Sequence, residues 1–171
     1  ITGAPAASPE GILIDLASTV TDPAGANDPI AYSWSVTKNG TSFTTALAAA
    51  FSFTSDDNGT YVVTLTVTDG DGGTGSDSKT IGVTNVAPTV TINDAPATGE
   101  VGQAISLTSS VSDAGSDTFT YSWTVTRSGT TVATGTAAAL SFTPSVIGSY
   151  VVSLTVTDDD GGSGSDSKTI N

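Results

Sequence analysis

The chain has no cysteine, no histidine and no methionine among its 171 residues, and only four basic residues. Without Cys, disulfides, thiolate metal sites and thiol nucleophiles are excluded. Without His, the commonest general base and the commonest imidazole ligand are gone as well. The four Lys and Arg stand against seventeen acidic residues, a net charge of −13. No basic patch exists to replace the counterions of a nucleic acid, and anionic membrane surfaces are disfavoured for the same reason. Long apolar runs are missing too, which argues against insertion into a membrane as a helix. With no initiating Met and no signal-like segment, the chain is expected to be a mature or excised portion of a longer protein.

Aspartate, glycine, serine, threonine and valine dominate what is present. Fifteen of the acids are Asp, and only Glu10 and Glu100 are Glu. A solubilising surface could use either acid, whereas turns and hard-cation sites favour the short Asp side chain. The 19 Gly, the many Thr, Ser and Val and the lack of helical periodicity point to an all-β chain.

The stretch Tyr61 to Ile81, YVVTLTVTDGDGGTGSDSKTI, returns almost unchanged as Tyr150 to Ile170, YVVSLTVTDDDGGSGSDSKTI. Each copy holds an alternating strand, an Asp/Gly-rich turn and a second strand, so it reads as a β-hairpin with an acidic tip. The chain is therefore a tandem repeat, with one domain over 1–85 and a second over 86–171. The copies align at an offset of 89 residues from about residue 31 onward, and at 91 before it, which places two extra residues between Asp22 and Tyr32. The first copy starts after most of its strand A should have passed, and the second stops where the first continues Gly82-Val83-Thr84. Both ends are expected to be cuts within a longer array.

Within a copy the spacing predicts strand B at Ile12–Ala17, strand C at Ala31–Thr37 carrying Trp34, strand E ending at Phe51 and Phe53, strand F from Tyr61 and strand G at Ser78–Val83. The second copy repeats these, with Trp123 on strand C and strand A at Thr89–Ile92. A weak Thr/Ala-rich segment follows strand C. Some seven short strands with regular turn signals predict an immunoglobulin-like antiparallel β-sandwich in each copy. Gly59-x-Tyr61-x-Val63 and Gly148-x-Tyr150-x-Val152 have the spacing of a tyrosine corner, and the two Trp sit where such a sandwich places its core indole. Lys79 and Lys168 beside the acidic turns read as partners in ion pairs.

Tyr-x-Trp on strand C, Gly-x-Tyr-x-Val-x-Leu-x-Val-x-Asp through strand F, the Asn-x-x-Pro at Asn85 to Pro88 and Asp22-Pro23 resemble polycystic-kidney-disease (PKD) type domains of bacterial surface and secreted proteins. The likeness spans both copies. It departs from the family at Trp34-Ser35-Val36-Thr37 and Trp123-Thr124-Val125-Thr126, where the family often has Trp-Asp-Phe-Gly-Asp-Gly. The resemblance implies two tandem PKD-type sandwiches, an extracellular or cell-surface setting, and calcium binding near the start of the domain in some members.

In such a sandwich the B–C loop, the F–G loop and the approach to strand A share one pole. In the first copy that pole gathers Asp22, Asp28, Asp69 and Asp71; in the second it gathers Asn85, Asp113, Asp117, Asp158 and Asp160. Carboxylates converging from several loops are costly unless a cation neutralises them, and oxygen-only ligands suit calcium (Ca2+). The same Asp-Gly-Asp-Gly-Gly composition also suits a plain polar turn. Catalysis is not expected, because acid–base work on a glycosidic bond needs two carboxylates flanking a cleft rather than clustered on loop tips. The expected function is a structural repeat: a spacer, stalk or filament module whose partners are neighbouring repeats or head-to-tail copies of itself. The alternative is an adhesion or polysaccharide-binding accessory module, which would need exposed rings such as Phe43 or Phe119.

Overall fold

The computed structural model describes residues 1–23 and 28–171. The chain divides into two compact units, Ile1–Asn85 and Val86–Asn171. All regular structure among the described residues is β. In the first unit the strands are β1 (Ala7–Pro9), β2 (Leu13–Ala17), β3 (Ala31–Lys38), β4 (Thr41–Ala46), β5 (Ala50–Thr54), β6 (Gly59–Thr68) and β7 (Thr74–Thr84). The second unit holds β8 (Thr89–Asn93), β9 (Ile105–Ser112), β10 (Phe119–Arg127), β11 (Thr130–Gly135), β12 (Ala139–Phe142), β13 (Tyr150–Asp158) and β14 (Ser163–Ile170).

Each unit is a sandwich of two sheets. The first pairs a sheet ordered β1-β7-β6-β3-β4 with a ribbon of β2 and β5; the second pairs β11-β10-β13-β14 with β12-β9-β8. The strand that opens each unit switches sheets. In the first unit Thr2 bridges to Ala17, and β1 then runs parallel to β7. In the second, β8 pairs antiparallel with β9, and Ala97 and Gly99 then exchange main-chain bonds with Asn171. Two expectations need extending. The Thr/Ala segment after strand C is a full edge strand in both copies (β4 and β11), and strand G begins at Thr74 rather than Ser78. Asn39-Gly40 and Ser128-Gly129 turn β3 into β4 and β10 into β11, with φ of 51° and 83°, and of 48° and 78°. Glycine bears such a φ without the steric cost a side chain meets. The two-residue length difference falls in the loop whose residues 24–27 lie outside those described.

Alternation fixes which face is buried. On β6, Tyr61, Val63 and Leu65 point inward, and on β13 Tyr150, Val152, Leu154 and Val156 do the same. Trp34 and Trp123 are each 1% exposed and fill the centre of their cores. Each indole N–H donates to a carbonyl at 2.8 Å, of Ala48 in one unit and Ala137 in the other. Aromatic rings continue the first core through Phe51, Phe53, Tyr61 and Phe43, with neighbouring centroids 5.3–6.1 Å apart. The second unit has Leu140 and Val132 at the counterparts of Phe51 and Phe43, so its core is more aliphatic. Phe43 and Phe119 both pack against these cores. None of the Trp, Tyr or Phe rings is exposed.

Both tyrosine corners are formed. Tyr150 Oη donates to the Val146 carbonyl at 2.8 Å, while Tyr61 Oη lies 2.9 Å from the Asp57 carbonyl and 2.6 Å from Asp56 Oδ1. Lys38 Nζ completes the first corner, 3.0 Å from Asp56 and 2.8 Å from Asp57. Partial burial works against the Lys38 charge, but its bonds to Asp57 and Asp56 outweigh that and hold its pKa above the usual value. Desolvation, then the bond to Asp56, pushes the Tyr61 phenol up to about 12. The Asp56 carboxyl is held down: desolvation opposes its charge, and the Tyr61 and Lys38 bonds prevail. Lys79 and Lys168 form the expected ion pairs, 3.2 Å from Asp77 and 2.9 Å from Asp166.

Two outcomes follow from this packing. Trp34→Ala or Trp123→Ala should cost about 3–5 kcal/mol in chemical denaturation, enough to unfold the affected unit. The Tyr61 pKa is raised on folding, so the corner's contribution is whole below the unfolded value near 10 and is lost as pH rises through about 12. Spectrophotometric titration should show one tyrosine ionising near 12 in the native chain, and Tyr61→Phe should remove that step.

Candidate metal centres at the acidic poles

The F–G turns are built alike because each begins with an Asp that folds the turn back on itself. Asp69 Oδ1 accepts the N–H groups of Asp71 and Gly73 at 3.1 and 2.6 Å. Asp158 Oδ1 accepts those of Asp160 and Gly162 at 3.1 and 2.7 Å. In both turns this side-chain ring is closed by a main-chain bond, Asp69 N–H to the Gly73 carbonyl and Asp158 N–H to that of Gly162, each 3.0 Å. An Asp binding the backbone two and four residues on is a common device for a tight turn.

The B–C loop approaches the F–G turn in both units, by opposite means. In the first, Asp28 Oδ1 accepts the Gly70 N–H at 2.6 Å. In the second, the direction reverses: Asp159, at the Gly70 counterpart, accepts the Thr118 N–H at 2.8 Å. A side chain at position 70 would have its Cβ 2.4 Å from Asp28 Oδ1, so glycine there lets the B–C loop carboxylate come in. Asp159 lies within the acidic turn but is not among the predicted ligands, and the exchange of Gly70 for Asp159 between otherwise matching turns is the signal of its separate role.

In the first unit, Asp22, Asp28 and Asp69 each place one carboxylate oxygen within 4.8 Å of the other two. Asp22 and Asp69 also line an open cleft of about 280 Å³ with Val20, Pro23, Ile30 and Val67. Two full charges 4.8 Å apart repel by about 3.5 kcal/mol at an effective dielectric near 20, before salt screening. Asp71 is not in the group; it is exposed on the outside of the turn. In the second unit, a carboxylate oxygen of Asp117 lies within 4.8 Å of one on Asp113 and of one on Asp160. Asp113 Oδ1 accepts the N–H groups of Ala114 and Gly115 at 2.6 and 3.2 Å, and its Oδ2 is buried without a hydrogen bond. Asp158 is buried in its turn, and Asp160 is exposed. Asn85 is half-buried and closes the first unit. Such oxygen-only, carboxylate-rich sets can hold a hard divalent cation such as calcium.

Two sandwiches, each of seven strands among the described residues, with tyrosine corners and a central Trp, define a pair of immunoglobulin-like domains. Residues 13–83 and 97–171 match the family described as K319L-like, PKD domain, so the chain belongs to the PKD-domain family and carries two copies of it. No curated protein matches the chain. Among solved structures it is similar to the fibronectin(III)-like modules of Clostridium thermocellum CbhA, at 18% identity over 99% of this chain and 90% of that one, TM-score 0.42. It is similar also to the amphioxus IgVJ-C2 molecule, at 18% identity over 95% and 97%, TM-score 0.44. A third is the Bacteroides ovatus mixed-linkage glucan utilization locus protein SGBP-B in complex with a mixed-linkage heptasaccharide, at 19% identity over 99% and 43%, TM-score 0.38. Domains of the PKD and immunoglobulin-like type are typically non-catalytic structural or accessory modules and commonly extracellular. Among the described residues no helix is long and apolar enough to cross a membrane.

The reversed loop-to-turn bonds give a paired prediction. The Thr118 bond to Asp159, first among the causes, holds the Asp159 carboxyl below its ordinary range. Its hold on the B–C loop is therefore present above that range and lost as pH falls through the lowered value. Asp159→Ala should speed amide exchange at Thr118 and leave Gly70 unchanged, while Asp28→Ala should do the converse.

Proposed function

We propose that the chain is a non-catalytic structural repeat of an extracellular or cell-surface protein, acting as a spacer, stalk or filament module whose acidic poles take up calcium. The observation that carries this reading is the convergence of Asp22, Asp28 and Asp69 from two separate loops of the first unit. Carboxylates converging from two loops repel one another, and a cation that binds only the folded state converts that repulsion into a stabilising contact. The second pole, with Asp113, Asp117, Asp158 and Asp160, serves the same role. Neighbouring repeats, or copies of the chain placed head to tail, are the partners. Among the described residues every aromatic ring is packed in a core or half-covered, which favours the spacer reading over a polysaccharide-binding module built on exposed rings.

Isothermal titration with calcium should show saturable heat, and the thermal midpoint should rise with calcium and fall in EDTA. Asp28→Asn and Asp69→Asn keep the shape of the loops while removing charge, and each should weaken binding at the first pole by at least tenfold. Absence of both heat and a midpoint shift would remove calcium from the account.

A further inference from the structure

Two Asn-Gly pairs occur in the chain, Asn39-Gly40 and Asn58-Gly59, and both lie in the first unit. The second unit has Ser128-Gly129 and Ile147-Gly148 at the matching positions. The fold brings the two pairs to one corner. Asn39 sits in the turn from β3 to β4, and Asn58 in the bend from β5 to β6, directly after the Asp57 carbonyl that accepts the Tyr61 hydroxyl. A Cβ placed on Gly59 would lie 2.9 Å from Asn39 Nδ2, so the Asn39 carboxamide rests on Gly59 itself.

Asparagine before glycine is chemically vulnerable, because the next main-chain nitrogen can reach the carboxamide carbon and glycine has no side chain to obstruct it. The reaction requires the carboxamide to be free to turn. Asn39 is not: its N–H donates to the Thr60 carbonyl at 2.8 Å, and its Oδ1 accepts the Thr60 N–H at 2.9 Å. Turning that side chain toward Gly40 would strip the Thr60 N–H, near the start of β6, of its acceptor. Asn58 is held through its main chain, whose N–H donates to Asp57 Oδ1 at 2.6 Å. Among the described residues its carboxamide makes no hydrogen bond. Exposure alone would rank the two sites the other way, since Asn39 is exposed and Asn58 half-buried.

We propose that Asn58 is a site of spontaneous covalent modification, closing onto the Gly59 nitrogen with loss of ammonia, and that Thr60 protects Asn39 from the same reaction. The Gly59 nitrogen gives up its proton and bonds to Asn58 Cγ, and the carboxamide nitrogen leaves as ammonia carrying that proton. Water then cleaves one carbonyl–nitrogen bond of the cyclic imide. Opening at Cγ leaves Asp at position 58; opening at the main-chain carbonyl routes the chain through Cγ and lengthens it by a methylene. Either product adds a carboxylate to the corner where Asp56 and Asp57 already share Lys38. The lengthened product also disturbs the tyrosine corner, which spans only residues 57 to 61. The second unit is inert to this chemistry, because its corner carries the exposed apolar pair Val146 and Ile147 in place of Asp57 and Asn58.

The test incubates the intact chain at mildly alkaline pH in EDTA, with and without urea, and follows both sites by peptide mapping with mass spectrometry. In the native chain Asn58 should convert about five- to tenfold faster than Asn39, the scale set by one intramolecular hydrogen bond. In urea, with the hold of Thr60 gone, the two rates should converge. Asn58→Ser should abolish the fast conversion and leave the slow one. Native conversion of Asn39 as fast as that of Asn58, an Asn58 that converts only in urea, or a rate ratio that urea leaves unchanged would overturn the assignment.

Discussion

Each unit depends on one tryptophan held between two sheets. Trp34 and Trp123 are the largest side chains in their cores, and burying one contributes about 2–3 kcal/mol relative to leaving it in water. The indole also fixes direction, because its single N–H must be satisfied once water is excluded. In both units it bonds the carbonyl fourteen residues on, in the connection from the edge strand β4 or β11 to β5 or β12. That bond ties one sheet to the other across the core. The tyrosine corner then closes the opposite connection, from strand E to strand F, by the same logic of a buried ring with one polar atom.

With the two connections fixed, the remaining loops gather at the poles, and there the copies have diverged. The first unit's corner carries a charged network of Lys38, Asp56 and Asp57, where the second uses Arg127 bonded to the Ile147 carbonyl and an apolar rim. At the other pole, one unit reaches from B–C loop to F–G turn with Asp28, and the other reaches back with Asp159. One sandwich tolerates both solutions because the strand C and strand F framework beneath, with its Trp and its corner Tyr, is the same in both. Diversification at the poles, over a nearly repeated strand F and strand G, is what a module needs if its neighbours at each end differ.

Much of this was readable in the sequence, for physical reasons. In the first copy strands B, C and F alternate large apolar residues with others, so period-two patterning located them within a residue or two, whereas β9 of the second copy runs on to Ser112 through a Ser-rich stretch with little apolar signal. The edge strands β4 and β11 were underrated because Thr41–Ala46 and Thr130–Gly135 bury few side chains and owe their order to pairing with strand C. The parallel strand β1 was not foreseen: it has three residues including a proline, which only an edge position accommodates. Phe43 and Phe119 are the rings the sequence leaves as candidates for exposure, and both fold onto the core, since the strand pattern cannot show how far an edge curls over. At the acidic pole the sequence named the loops but not the geometry. Asp69 and Asp71 look equivalent in a turn, and only the fold separates the one that faces Asp22 and Asp28 from the one that faces solvent.

The central claim, that acidic loops at the poles of this tandem PKD module form cation sites, is tested most directly by heteronuclear NMR of the chain titrated with calcium. Saturable shifts should centre on the amides of Gly70, Asp71 and Gly73 in the first unit, and on Ala114, Thr118 and Gly162 in the second, with the strands unmoved. Shifts that never saturate, or that spread evenly over the acidic surface, would mean that the charge is merely screened and the poles hold no ion.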